Sequence, residues 1–191
     1  MTATSWLRAE RTSFVAEQIL DAAGRLFAEH GVAAVTMADV AGAVGCSRAT
    51  LYRYVENRDA LRVAFVHREA RRIGSLVAAE LVGVTDPRQR LVDAMATSLR
   101  LVRSDDTLAG WFTEGDAGLS ARLAQSSTVI EELVAGFLRG DADGAGDPVV
   151  RRRAQWVVRV LVSLLADPEP SEDEERLLIA EFVAPVVAGP G

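Results

Sequence analysis

Residues 31–62, GVAAVTMADVAGAVGCSRATLYRYVENRDALR, decide the fold of this chain. Thr36 followed three residues later by Asp39 is a capping-box pattern that opens a helix. Val40, Ala41 and Val44 then recur at helical spacing. Gly45 stands where that helix must stop, because only Gly enters the left-handed backbone region without a Cβ penalty. Ser47 can cap the next helix, whose inward side is Leu51 and Val55. Arg48, Thr50, Tyr52, Arg53 and Tyr54 are left for its outer face. Two short helices across a glycine turn make a helix-turn-helix, a unit whose second helix fits the major groove of DNA. Arg48, near the start of that helix, is placed to reach base edges, where pairing with guanine is the commonest specific contact.

Working outward, the whole chain reads as helix. A first helix is expected from about Ser13 to Glu29, with Ile19, Ala23, Leu26 and Phe27 on one face. Residues 1–12 read as a loose arm; Arg8 and Arg11 could enter a minor groove, though a charged tail is the plainer reading. A long helix should begin at the cap Asn57 and run to about Leu81. Asp86, Pro87 and Gln89 form a cap, a first-turn proline and a capping-box partner for the helix that follows. A short segment from Asp105 to Phe112 precedes one long helix carrying Leu119, Leu123, Ile130, Leu133 and Phe137. Asp147 with Pro148, and Ser171 with its trailing acids, start the last two, and Pro185 should end or kink the final helix. The expectation is an all-α chain of about nine helices: an arm and helix-turn-helix domain over 1–56 and a helical body over 57–191.

Charge is divided along the same line. Residues 1–72 carry a net +2 and residues 73–191 a net −8, giving −6 overall. An acidic body held away from phosphate, behind a mildly basic head, is compatible with DNA binding. No stretch reaches the roughly 18 apolar residues of a membrane span, no leader is evident, and one cysteine cannot form an intrachain disulfide. The expected compartment is the cytoplasm.

The residues of the head resemble the N-terminal domain of the tetracycline-repressor (TetR) family of bacterial transcriptional regulators. The resemblance rests on Thr36, Val40-Ala41, Gly45, Ser47, Thr50-Leu51-Tyr52, Tyr54, Val55, Arg58 and Leu61, preceded by Ile19–Ala23 and Leu26–Gly31. Val55 stands where the family usually has Phe, and Arg58 where it usually has Lys. The likeness covers about the first third of the chain. It implies that Thr36, Tyr52, Tyr54 and Arg58 mostly touch phosphates, with Ser47, Arg48 and Thr50 completing the DNA-binding set. It also implies a ligand pocket in the body, for which Met95, Leu99, Trp111, Phe112, Leu123, Phe137 and Trp156 are candidates, though each taken singly reads more readily as ordinary core. The last two helices would pair with their copies in a homodimer through Val157, Val160, Leu161, Leu164, Leu178, Phe182 and Val186. The implied function is a regulator, most often a repressor, that binds a near-palindromic double-stranded operator as a dimer and is released by a small apolar or amphipathic effector, with no cofactor.

Other features carry less. Cys46 reads as a small turn residue more readily than as a redox switch. The acidic stretch from Asp141 to Asp147 echoes a calcium loop, but Ala145 and Arg152 fall where ligands are needed. His30 and His67 are too isolated for a zinc site. Arg151, Arg152 and Arg153 read as a solvated face. Glu114 and Asp116 could face a polar ligand group or water. Two other function classes stand beside the regulator: a ligand-independent helical DNA-binding protein acting through protein contacts, and an enzyme, for which no nucleophile-base pair, metal set or phosphate loop is present.

Overall fold

The computed structural model describes residues 3–112, 117–139 and 147–188, with side chains from Phe14 onward apart from that of Ala117. Every regular element among them is a helix. The head comprises α1 (Ala3–His30), α2 (Met37–Val44) and α3 (Arg48–Tyr52). The body follows with α4 (Arg58–Glu80), α5 (Pro87–Arg103) and α6 (Asp106–Ala109), which runs into a 3-10 turn (Gly110–Phe112). Then come α7 (Ala117–Ser126), α8 (Thr128–Arg139), α9 (Pro148–Ala166) and α10 (Glu172–Leu178). The last helix continues through a π turn (Ile179–Val183) into α11 (Ala184–Val187).

Three expectations are corrected. The first helix starts at Ala3, so the segment read as an arm is helical; the side chains of Arg8 and Arg11 lie outside the described residues. The single helix expected across 119–137 is two, which brings the described helices to ten when the last is counted as one. Ser127 makes the break: its hydroxyl accepts the Ile130 N–H at 3.1 Å, so α8 has its own N-terminal cap. Gln89 does not close a capping box. Asp86 does cap α5, accepting the Gln89 N–H at 2.7 Å, but the Gln89 side chain turns forward to Asp93 at 2.9 Å.

One apolar cluster runs without interruption from the head into the body. It joins Ile19, Phe27, Val40 and Leu51 to Leu61 and Phe65 on α4 and to Trp111 in the 3-10 turn. Phe27, Phe65 and Trp111 form a ring contact of three, with Phe65 and Trp111 stacked at 5.4 Å between centroids. The approach of α1 to α4 depends on Gly24, where a Cβ would come within 2.8 Å of the Phe65 ring. A second cluster packs Leu91, Met95 and Leu99 of α5 against Val157, Leu164, Ile179 and Val183.

In the last helix Glu175, Ile179, Val183 and Val187 are all buried at a constant spacing of four. In a regular α-helix such a row drifts by about 40° per step. The wide π turn takes up that drift and keeps the row facing the core. Arg103 closes the arrangement, reaching both Glu175 carboxylate oxygens at 2.6 and 2.8 Å and the Leu164 carbonyl at 2.8 Å.

Candidate functional site: a nucleic-acid interface and a cavity behind it

The head is built by local capping. Thr36 and Asp39 exchange their bonds as expected: the Asp39 carboxylate accepts the Thr36 N–H at 2.8 Å, and the Thr36 hydroxyl accepts the Asp39 N–H at 3.3 Å. The Thr36 hydroxyl also donates to that carboxylate, and these bonds hold the Asp39 carboxyl below its ordinary value. Gly45 takes φ +75°, and Ser47 caps α3 by accepting the Thr50 N–H at 3.1 Å. Leu51 is fully buried and anchors the helix, while Cys46 is half-buried against the same cluster.

That anchoring presents the opposite face to solvent. Thr36, Ser47, Arg48, Tyr52, Arg53, Tyr54 and Arg58 are all exposed, Tyr52 by 49%, and Thr50 is half-buried with its hydroxyl 2.9 Å from that of Ser47. Among the described residues, Arg48 and Arg53 have no ion pair and no side-chain hydrogen bond, so both guanidinium groups are free for an external anion. Arg58 is already engaged, one of its Nη atoms donating to the Ala33 carbonyl at 3.2 Å.

Arg62 escapes sequence reasoning altogether. It is 4% exposed and donates to the Val32 carbonyl at 2.7 Å and to Asp59 at 3.1 Å. With Arg58 it fixes the α1–α2 loop, and hence Thr36, to the start of α4. A charge on an amphipathic helix reads as surface unless its partner is known, so no local signal marks it. Further along α4, Arg68 joins Glu69 at 2.8 Å to Asp21 of α1 at 2.7 Å and Glu17 at 3.3 Å. Arg72 joins Glu69, at 2.6 Å, to Asp105 ahead of α6.

Behind the head lies a cavity of about 420 Å³. Its wall includes Val66, Ala70, Ile73 and Gly74 of α4, so the helix that carries the head also bounds the cavity. Of the seven pocket candidates, Met95, Trp111, Phe112 and Phe137 line it. Leu99 is buried in the second cluster, and Leu123 packs against the first. Trp156 is 44% exposed on the outside of α9, because its position is turned away from the row Ala154, Val157 and Val158.

The apolar stripe on α9 also resolves into two roles. Val157 and Leu161 face the cavity, Leu164 is buried, and Val160 is half-buried against the second cluster. On the last helix Leu178 is half-buried, whereas Leu177, Phe182 and Val186 are each more than 60% exposed. Arg151 of the basic run pairs with Glu131 at 2.9 Å, as a solvated face would. Glu114, Asp116 and the stretch from Asp141 to Gly146 lie outside the described residues. Among the described residues no cluster of metal-ligating side chains occurs, and no helix is long and apolar enough to cross a membrane.

Comparison with known proteins bears on both halves. The family model for bacterial regulatory proteins of the tetR family matches residues 19–65, the stretch from mid-α1 through the reading helices to the start of α4. An uncharacterized HTH-type transcriptional regulator of Mycobacterium tuberculosis is 48% identical over 188 residues, covering 98% of this chain and 92% of its own length. An HTH-type transcriptional repressor of the same organism is 32% identical, over 84% of this chain and 85% of its own. Among solved structures, the TetR family repressor AlkX of Dietzia sp., implicated in biodegradation of n-alkanes, superposes with a TM-score of 0.65 at 23% identity, over 90% of this chain and 96% of that one. The match therefore extends well past the reading helices, and the chain belongs to the tetR family of bacterial transcriptional regulators, DNA-binding proteins and not enzymes.

Proposed function

We propose that the protein is a dimeric repressor that holds two copies of the α2–α3 unit on the half-sites of a near-palindromic operator, and that a small apolar or amphipathic molecule entering the cavity releases it. One observation carries this reading: α4 supplies both the cavity wall, through Ile73 and Gly74, and the clamps on the head, through Arg58 and Arg62. An occupant that prefers one setting of α4 biases the spacing of the heads, and a ligand with equal affinity for both settings would shift nothing. Arg48 is assigned to base edges and Tyr52 and Tyr54 to phosphates. The repressor relative supports the sign of regulation, and the size of the cavity favours an effector over ligand-independent action.

The dimer is assigned to the outer faces of α9 and the last helix. Phe182 and Val186, each 62% exposed, are large apolar side chains with no cover in the single chain. Phe182→Asp should abolish dimers in sedimentation velocity while leaving the helical circular dichroism unchanged; a dimer that survives moves the interface elsewhere. Function is tested by selecting bound DNA from a random pool and repeating the selection with metabolites present. The expected product is a two-fold symmetric site whose recovery falls with one compound class, and a site without symmetry would overturn the dimeric reading.

A further inference from the structure

We infer that the cavity takes an amphiphilic anion, an apolar chain or ring system ending in a carboxylate-like head group, and that Arg90 is the residue that recognises the charge. This rests on the reading of the cavity as an effector site and adds the chemistry of the effector.

The wall is apolar except at a few positions, and most of those are already satisfied. Glu69 has one carboxylate oxygen on Arg68 at 2.8 Å and the other on Arg72 at 2.6 Å, so its charge is offset from both sides. The Ser98 hydroxyl donates to the Ala94 carbonyl at 2.7 Å, and the Ser120 hydroxyl to the Trp111 carbonyl at 2.5 Å. Two groups remain. Arg90 lines the cavity with its guanidinium 4.5 Å from the centroid of the Phe137 ring, and among the described residues it has no carboxylate partner. Trp111, only 3% exposed, has a buried indole N–H with no acceptor among the described residues.

Both groups are donors, and Arg90 carries the charge. A pure hydrocarbon would leave that charge without a counter-ion inside the mouth of the cavity, and a cation would be repelled by it. An anion satisfies the guanidinium through its N–H edge, which stacking on Phe137 leaves available. The nearest acids on α5 do not compete: Asp86 is the helix cap, and Asp93 is held by Arg176 and Gln89. Arg90 is part-exposed and Trp111 is buried, so the head group lies at the rim and the apolar portion runs inward toward the ring contact of Phe27, Phe65 and Trp111.

Isothermal titration calorimetry on the full chain decides it, with decanoate, decanol and decyltrimethylammonium as matched probes against the native protein, Arg90→Gln and Arg90→Glu. Decanoate should bind the native protein about tenfold or more tightly than decanol, as a charge-assisted hydrogen bond predicts. Arg90→Gln should remove that preference while leaving decanol within about twofold, which also reports an intact cavity, and Arg90→Glu should favour the ammonium probe. Equal binding of decanoate and decanol, or a preference for decanoate that survives Arg90→Gln, overturns the assignment to Arg90. Binding of decanol without decanoate sinks the anion and keeps the effector site; failure of all three probes removes both.

Discussion

The head and the body of this protein are held together by different physics. In the head, polar bonds pin short elements around a fully packed apolar cluster: a capping box at Thr36, a glycine stop at Gly45, a serine cap at Ser47, and carbonyl clamps from Arg58 and Arg62. In the body, long helices meet through apolar faces and leave a space between them. The first arrangement specifies one geometry. The second tolerates small displacements of one helix against another, as the proposed response to an effector requires.

The contrast can be broken most sharply at Arg62. Arg62→Ala should cost about 3 kcal/mol in urea unfolding, because a buried charge-assisted bond and its packing are lost together. A loss below about 1 kcal/mol would mean that the clamp is dispensable and that the apolar cluster, with Arg58 and Arg68, suffices to hold the head. Arg48→Ala should leave stability unchanged and weaken operator binding by about 2 kcal/mol in titrated gel shifts, with relaxed preference at one base pair. An equal loss on all sequences would make Arg48 a phosphate contact.

Gly24→Ala tests the junction of the two regions. Helix propensity favours Ala by about 1 kcal/mol, but the new Cβ must displace a Phe65 ring already packed on Phe27 and Trp111. We expect a net loss of about 1 kcal/mol by thermal unfolding; a more stable variant would show that the ring has room to move. Tyr52→Phe is the smallest expected effect, a loss below about 1 kcal/mol shared by operator and random DNA. Unchanged binding to both would take the Tyr52 hydroxyl out of the interface.

The sequence signals that worked are local ones. Thr36, Gly45, Ser47 and Asn57 act on backbone groups within four residues, so their meaning survives without knowledge of the tertiary structure. The body was legible as helices but not as surfaces. Val157 and Phe182 belong to equally apolar stripes, yet one faces the cavity and the other solvent, because the choice depends on which neighbour each helix meets. Trp156 points outward for the same reason. Arg62 looks like a solvated charge until its partner, the Val32 carbonyl thirty residues away, is brought alongside. The cap at Ser127 was hidden in a run of three hydroxyl residues, any of which could have served.

The clamps on the Val32 and Ala33 carbonyls make α4 a lever with the reading unit fixed to its tip. From the cavity-facing Ala78 to Arg58 is about 30 Å of helix at 1.5 Å per residue. A tilt of only about 4° at the far end therefore swings the tip by about 2 Å, and in a two-fold assembly the swing is doubled between the paired reading helices. A displacement of that size exceeds the tolerance of a hydrogen bond to a base edge. In the proposed dimer, an occupant leaning on each of the two rods would loosen both grips together.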